Sequence, residues 1–76
     1  MLQKPIRILR HAEIRMLQRQ INKAEIEAVL RKPDMDYPAR MKPRRRAIKS
    51  VGGRKIHVIY YEEPTEYIVV TVIAMA

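Results

Sequence analysis

The chain has 76 residues, a net charge of +8 and 47% hydrophobic residues, with no Phe, Trp or Cys. That length suits one small domain with a modest core, burying roughly 60% of its unfolded surface, and the missing cysteine excludes disulfides and thiolate metal sites. The start, MLQKPIRILRH, lacks a long apolar run and reads as no signal peptide, and the apolar tail from Ile68 is too short to span a bilayer, so a cytoplasmic protein without membrane contact is expected.

Weak alternation in PIRILR predicts a short first strand. The first helix follows over about Ala12 to Gln20, with Ile14, Leu17 and Ile21 at three-and-four spacing on one stripe. The stretch INKAEI carries a capping box: Asn22 as the cap, Glu25 three residues on, and Ile21 with Ile26 as a hydrophobic staple. The second helix therefore runs from Lys23 to about Arg31, with Ile26, Val29 and Leu30 buried. Pro33 ends it, because the residue before a proline avoids helical backbone. Three prolines make a loop of PDMDYPARMKP.

Beyond the loop, Gly52-Gly53 separates two β-prone runs and reads as a two-residue hairpin turn. A second turn falls around Glu63-Pro64-Thr65-Glu66. Three antiparallel strands follow, over roughly 44–51, 54–62 and 67–74. The expected fold is α+β: a single domain over 1–76 in the order strand-helix-helix-strand-strand-strand, its antiparallel sheet packed on a helical hairpin.

The glycine turn pairs Arg45 with Tyr60, Ala47 with Val58 and Lys49 with Ile56. A four-residue second turn pairs Tyr60 with Val69, Val58 with Thr71 and Ile59 with Val70. One face then collects Ile48, Ile59, Ile68, Val70 and Val72 and is expected against the helices, with His57 structural on that side. The other collects Arg45, Lys49, Arg54, Tyr60 and Thr71 among Ile56, Val58 and Val69. This cationic, partly apolar face suits a nucleic acid; its apolar residues equally suit a second buried layer or an oligomer contact. A one-residue slip would exchange the faces.

Positive charge is segregated. Residues 37–57 hold Arg40, Lys42, Arg44, Arg45, Arg46, Lys49, Arg54 and Lys55 with no acid. Such clustering favours a polyanionic partner. In the first helix His11, Arg15 and Arg19 recur at intervals of four. They lie within about 80° of each other, beside the apolar stripe, and rise about 6 Å per step. That row could follow a phosphate backbone, or simply keep the helix soluble.

HAEIRMLQRQI, VLRKP, GGRKIHVIYYEE and VVTVIA, in that order, resemble a family of small uncharacterised bacterial domains that opens with His-Ala-x-x-x-Arg-x-x-x-Arg and ends on a strand bearing Thr-Val. That family is grouped with the RelE-like toxins, within the superfamily of barnase-, EndoU- and colicin-like ribonucleases. The resemblance spans about residues 6–74. It implies a RelE-like fold, metal-independent RNA cleavage and restraint by an antitoxin protein. His11, Arg15, Arg19, Gly53, Arg54 and Thr71 match family-like positions. Leu9 and Arg10 stand where relatives often carry a Ser or Thr cap.

Metal-free cleavage uses the ribose 2′-hydroxyl as nucleophile, and needs a base, an acid and cations around the phosphate. His11 is the base or acid, because its ordinary pKa is near neutral. In that mechanism Arg15 and Arg19 would clamp phosphate, Tyr60 would serve as acid or stacking platform or else only pack in its strand, and Lys49 with Arg54 would steady the transition state. Arg19, Arg45, Arg54 and Thr71 are the residues expected to bind RNA, with Thr71 otherwise an ordinary strand residue. No cofactor or metal is called for; two histidines without a carboxylate at ligand spacing make a poor metal site. The expected partners are RNA, free or on the ribosome, and an antitoxin. The rival readings are a non-catalytic nucleic-acid or ribosome-binding module and an inert protein-interaction domain.

Overall fold

The computed structural model describes residues 4–75; the remainder of the domain expected over 1–76, Met1–Gln3 and Ala76, lies outside. Strand β1 is Ile6–Ile8, helix α1 is Arg10–Arg19 and helix α2 is Lys23–Arg31. Four strands follow: β2, Met35–Pro38; β3, Arg45–Val51; β4, Arg54–Glu62; and β5, Tyr67–Met75.

The helix boundaries have local causes. Asn22 accepts from the Glu25 backbone at 2.8 Å while the Glu25 carboxylate takes the Asn22 amide at 3.0 Å, closing the capping box of α2. Asn22→Ala should therefore cost about 1 kcal/mol of stability, the usual worth of such a cap; chemical unfolding measures it, and an unchanged midpoint would mean the cap is redundant. Helix α1 starts two residues earlier than expected, with Leu9 as a cap that offers no side-chain bond. It ends at Gln20 in the left-handed conformation (φ 54°, ψ 50°).

The sheet has five strands in the order β1-β5-β4-β3-β2. It is mixed, not purely antiparallel: β1 runs parallel to β5, with Ile6 beside Tyr67 and Ile8 beside Val69. The expected loop contains strand β2, which pairs antiparallel with β3. The prolines of that stretch hid it; Pro38, the one inside the strand, is tolerated because β2 is an edge strand with one side free of the ladder. The glycine turn sets the β3–β4 register as expected, Arg45 with Tyr60 through Val51 with Arg54. Between β4 and β5 the expected pairing holds near the second turn, Tyr60 with Val69. It then shifts by one, so that Ile59 meets Thr71 and Val58 meets Val72. Val70 is the extra residue of a β-bulge, which shifts every later side chain relative to β4.

The helices cover the face opposite to the one expected. The core gathers Ala12, Ile21, Ile26 and Val29 from the helical side with Ala47, Ile56, Val58, Tyr60, Val69 and Val72 from the sheet. Helix α1 packs on β5, and α2 on β3 and β4. Ile48, Ile59, Ile68 and Val70 are therefore not core against the helices; of that expected set only Val72 is, because the bulge turns it inward. The α1 stripe is also revised. Ala12 and Met16 face the sheet, while Ile14 is 45% exposed and Leu17 83% exposed. Leu17 borders an apolar groove with Ile8, Met16 and Ile21. No helix among the described residues is long and apolar enough to cross a membrane.

Candidate nucleic-acid interface

Of the expected sheet residues, Arg45, Lys49, Arg54 and Tyr60 point to the helical side and are engaged there. Arg54 donates to the Arg19 carbonyl at 2.6 Å and the Gln20 carbonyl at 2.5 Å, and lies 3.4 Å from the Glu25 carboxylate. It completes the C-terminus of α1, where unpaired carbonyls and the helix dipole favour a cation. Lys49 donates to the Lys32 carbonyl at 2.9 Å at the end of α2, with Asp34 at 3.8 Å. Arg45 donates to Asp36 at 3.1 Å, and the same carboxylate accepts the Tyr60 hydroxyl at 2.8 Å. Tyr60 is 2% exposed. Burial, and next its bond to Asp36, push its phenol far above the ordinary value. These contacts fasten β2 and both helices to the sheet.

The α1 row sits on that same side. His11 is exposed, Arg15 is half-buried and donates to Gln18 at 2.9 Å, and Arg19 is half-buried. Helix α1 lies over β5, two strands from β3, so His11 and Arg15 do not gather with Arg45 and Lys49. Thr71, expected beside Tyr60, faces the other way because of the bulge.

On the face away from the helices the register builds a different cluster. Tyr37, Arg46, Ile59 and Thr71 form one row across β2, β3, β4 and β5. Met35, Ile48, His57 and Ile73 form the next. The segment Ala39–Arg44 borders a cleft of about 200 Å³ lined by Arg40, Met41, Arg44, Arg46, Ile59 and Thr71. Three guanidinium-bearing side chains and a hydroxyl thus line a space to which no acid contributes. Arg44 donates to the Tyr61 hydroxyl at 3.1 Å and lies 5.7 Å from that ring's centroid. Arg46 lies 2.8 Å from Nδ1 of His57. Both partners are neutral, whereas Lys4, Arg7, Arg45, Lys49 and Arg54 each have a carboxylate within salt-bridge distance. Charge on this face therefore remains available to an anion.

A guanidinium can only donate, so Nδ1 of His57 accepts from Arg46 and the proton of the neutral ring sits on Nε2. Burial lowers the His57 pKa below its ordinary value, with Arg46 and then Lys55 adding to the shift. The unfolded chain then binds more protons than the folded one in the window below about pH 6.5, so stability falls as pH falls through it. The melting temperature should drop between pH 7 and pH 5, and drop less in His57→Gln; equal slopes would remove His57 as the cause. Among the described residues no group of three His, Asp or Glu side chains is arranged to hold a metal ion.

Arg40, Arg44 and Arg46 were legible only as members of the basic run over residues 37–57, and His57 was expected on the helical side; the register places them on one face with Tyr61. A family model described as a domain of unknown function (DUF4258) matches residues 8–74. No curated protein and no solved structure matches the chain.

Proposed function

We propose, for a chain that belongs to the DUF4258 family, that it is an RNA-binding module whose phosphate-holding surface is the sheet face away from the helices. One observation carries the reading: Arg40, Arg44 and Arg46 converge with Thr71 on one cleft to which no acid contributes. Arg44 and Arg46 project from the same side of one chain segment, two residues or about 7 Å apart. Guanidinium forks bind phosphate oxygens in pairs, and Thr71 adds a hydroxyl that can donate or accept.

The toxin-like ribonuclease remains a second proposal, together with the RelE-like relationship that suggested it. His11, exposed one turn before Arg15, favours it. Against it stands the separation of His11 from the arginine cleft by the thickness of the sheet, and the engagement of Tyr60 by Asp36. An antitoxin belongs to the same proposal; the apolar strip of Ile14 and Leu17 would meet it on the side opposite to the cleft.

The test is titration of fluorescent RNA against the purified protein over a range of salt, then incubation with free RNA and with translating ribosomes in excess EDTA. Binding that weakens steeply with salt and leaves the RNA intact supports the module. Cleavage in EDTA with a 2′,3′-cyclic phosphate end would favour the ribonuclease, and His11→Ala should then slow it by roughly two to four decades. Binding to neither substrate rejects both.

A further inference from the structure

We propose that the RNA taken by this face is single-stranded, and that Tyr37 is the ring on which one of its bases stacks. The inference rests on the RNA-binding reading and specifies the form of RNA.

Tyr37 is the Cα partner of Arg46, so the two side chains leave the sheet on the same side, in the row that continues to Ile59 and Thr71. Neighbouring strands lie about 4.8 Å apart, so the ring stands beside the arginine that lines the cleft. Tyr37 is 39% exposed, and among the described residues its hydroxyl has no hydrogen-bond partner. The other three tyrosines are occupied. Tyr60 is buried, Tyr61 lies under the Arg44 guanidinium, and Tyr67 packs against Tyr60 at 5.9 Å and under the Lys4 ammonium at 4.7 Å. Met35, two residues before Tyr37 on the same strand face, and Met41 in the bordering segment are also exposed. The edge of the sheet thus offers an aromatic ring and two thioether side chains next to the cationic cleft.

That combination fits an unpaired base. In a duplex the faces of the bases are hidden in the stack, and only their edges and the backbone meet a protein. A free strand can turn a base face onto a ring while its phosphate enters a recess beside it, which is how single strands are held without reading sequence.

The experiment compares an unstructured single-stranded RNA with a duplex of equal length by fluorescence anisotropy at low salt, using wild type, Tyr37→Ala and Tyr37→Phe. The single strand should bind at least tenfold tighter than the duplex. Tyr37→Ala should weaken the single strand about tenfold, within the range of one lost base–aromatic stack. Tyr37→Phe should bind like wild type, because the ring and not the hydroxyl is used. Duplex affinity should be the same in all three. Should Tyr37→Ala fail to fold, wild type is titrated with single strands carrying one abasic position in turn, and one position should reproduce the tenfold loss. Duplex and single strand binding equally, Tyr37→Ala binding the single strand as tightly as wild type, or no abasic position mattering would overturn this inference while leaving RNA binding intact. If neither form binds, the RNA-binding reading fails and this inference falls with it.

Discussion

Val58→Asp should leave the domain unfolded at 25 °C, whereas Val70→Asp should still fold. Val58 is 0% exposed and lies between the helices and the sheet. A carboxylate there has no partner and costs several kcal/mol. A domain of this size has on the order of 5 kcal/mol to lose. Val70 is half-buried and is the extra residue of the bulge between β4 and β5. Its carboxylate can turn to water at an irregular point of the ladder, and should cost well under half as much. Circular dichroism and thermal unfolding of the two variants check this. Equal losses, or the reverse order, would mean that the helices cover the Ile59 side after all.

Replacing Arg44 and Arg46 together by Ala should weaken RNA binding about a hundredfold at low salt. Each residue is assigned a charge-assisted contact to phosphate, worth roughly 1.5–3 kcal/mol before compensation, and each 1.4 kcal/mol is a factor of ten. The slope of log affinity against log salt should flatten by about 1.4, since each single-strand phosphate contact contributes near 0.7. The loss should be similar for every sequence, because phosphate contacts carry no base information. Arg45→Ala is the internal contrast. Arg45 is adjacent in sequence and equally charged, but it points to the other face and is held by Asp36. Its removal should change the slope by less than half as much. Equal slopes for Arg45→Ala and the double variant would put the RNA on the face of Arg45, Lys49 and Arg54, which the alternation had offered to it and which the structure turns to the helices.

What local chemistry determines is plain in several elements. The Asn22–Glu25 box fixes the start of α2 because its two hydrogen bonds are made within four residues. The Gly52-Gly53 turn fixes the β3–β4 register because both glycines take positive φ, +59° and +84°, as such a turn requires. The excess of arginine and lysine over residues 37–57, and with it the expectation of a polyanionic partner, is a property of composition and needs no fold.

Which side of that hairpin meets the helices was not local. Each side carries aliphatic residues and cations in comparable number, Arg45, Lys49 and Arg54 on one and Arg44, Arg46 and Lys55 on the other. Only the packed structure breaks the tie. Lys49 and Arg54 coincide with the C-termini of α2 and α1, where carbonyls take them, and Arg45 reaches Asp36 on an edge strand that the prolines had concealed. Arg46 and His57 would instead sit beneath helices, where a charged and a polar group would have to lose water without a carboxylate in return. The bulge at Val70 is equally non-local, since it exists only in the pairing of β5 with β4. By turning Thr71 toward Arg46 and Val72 toward the core, it moves the hydroxyl to the arginine cleft and completes the apolar layer with the same one-residue shift.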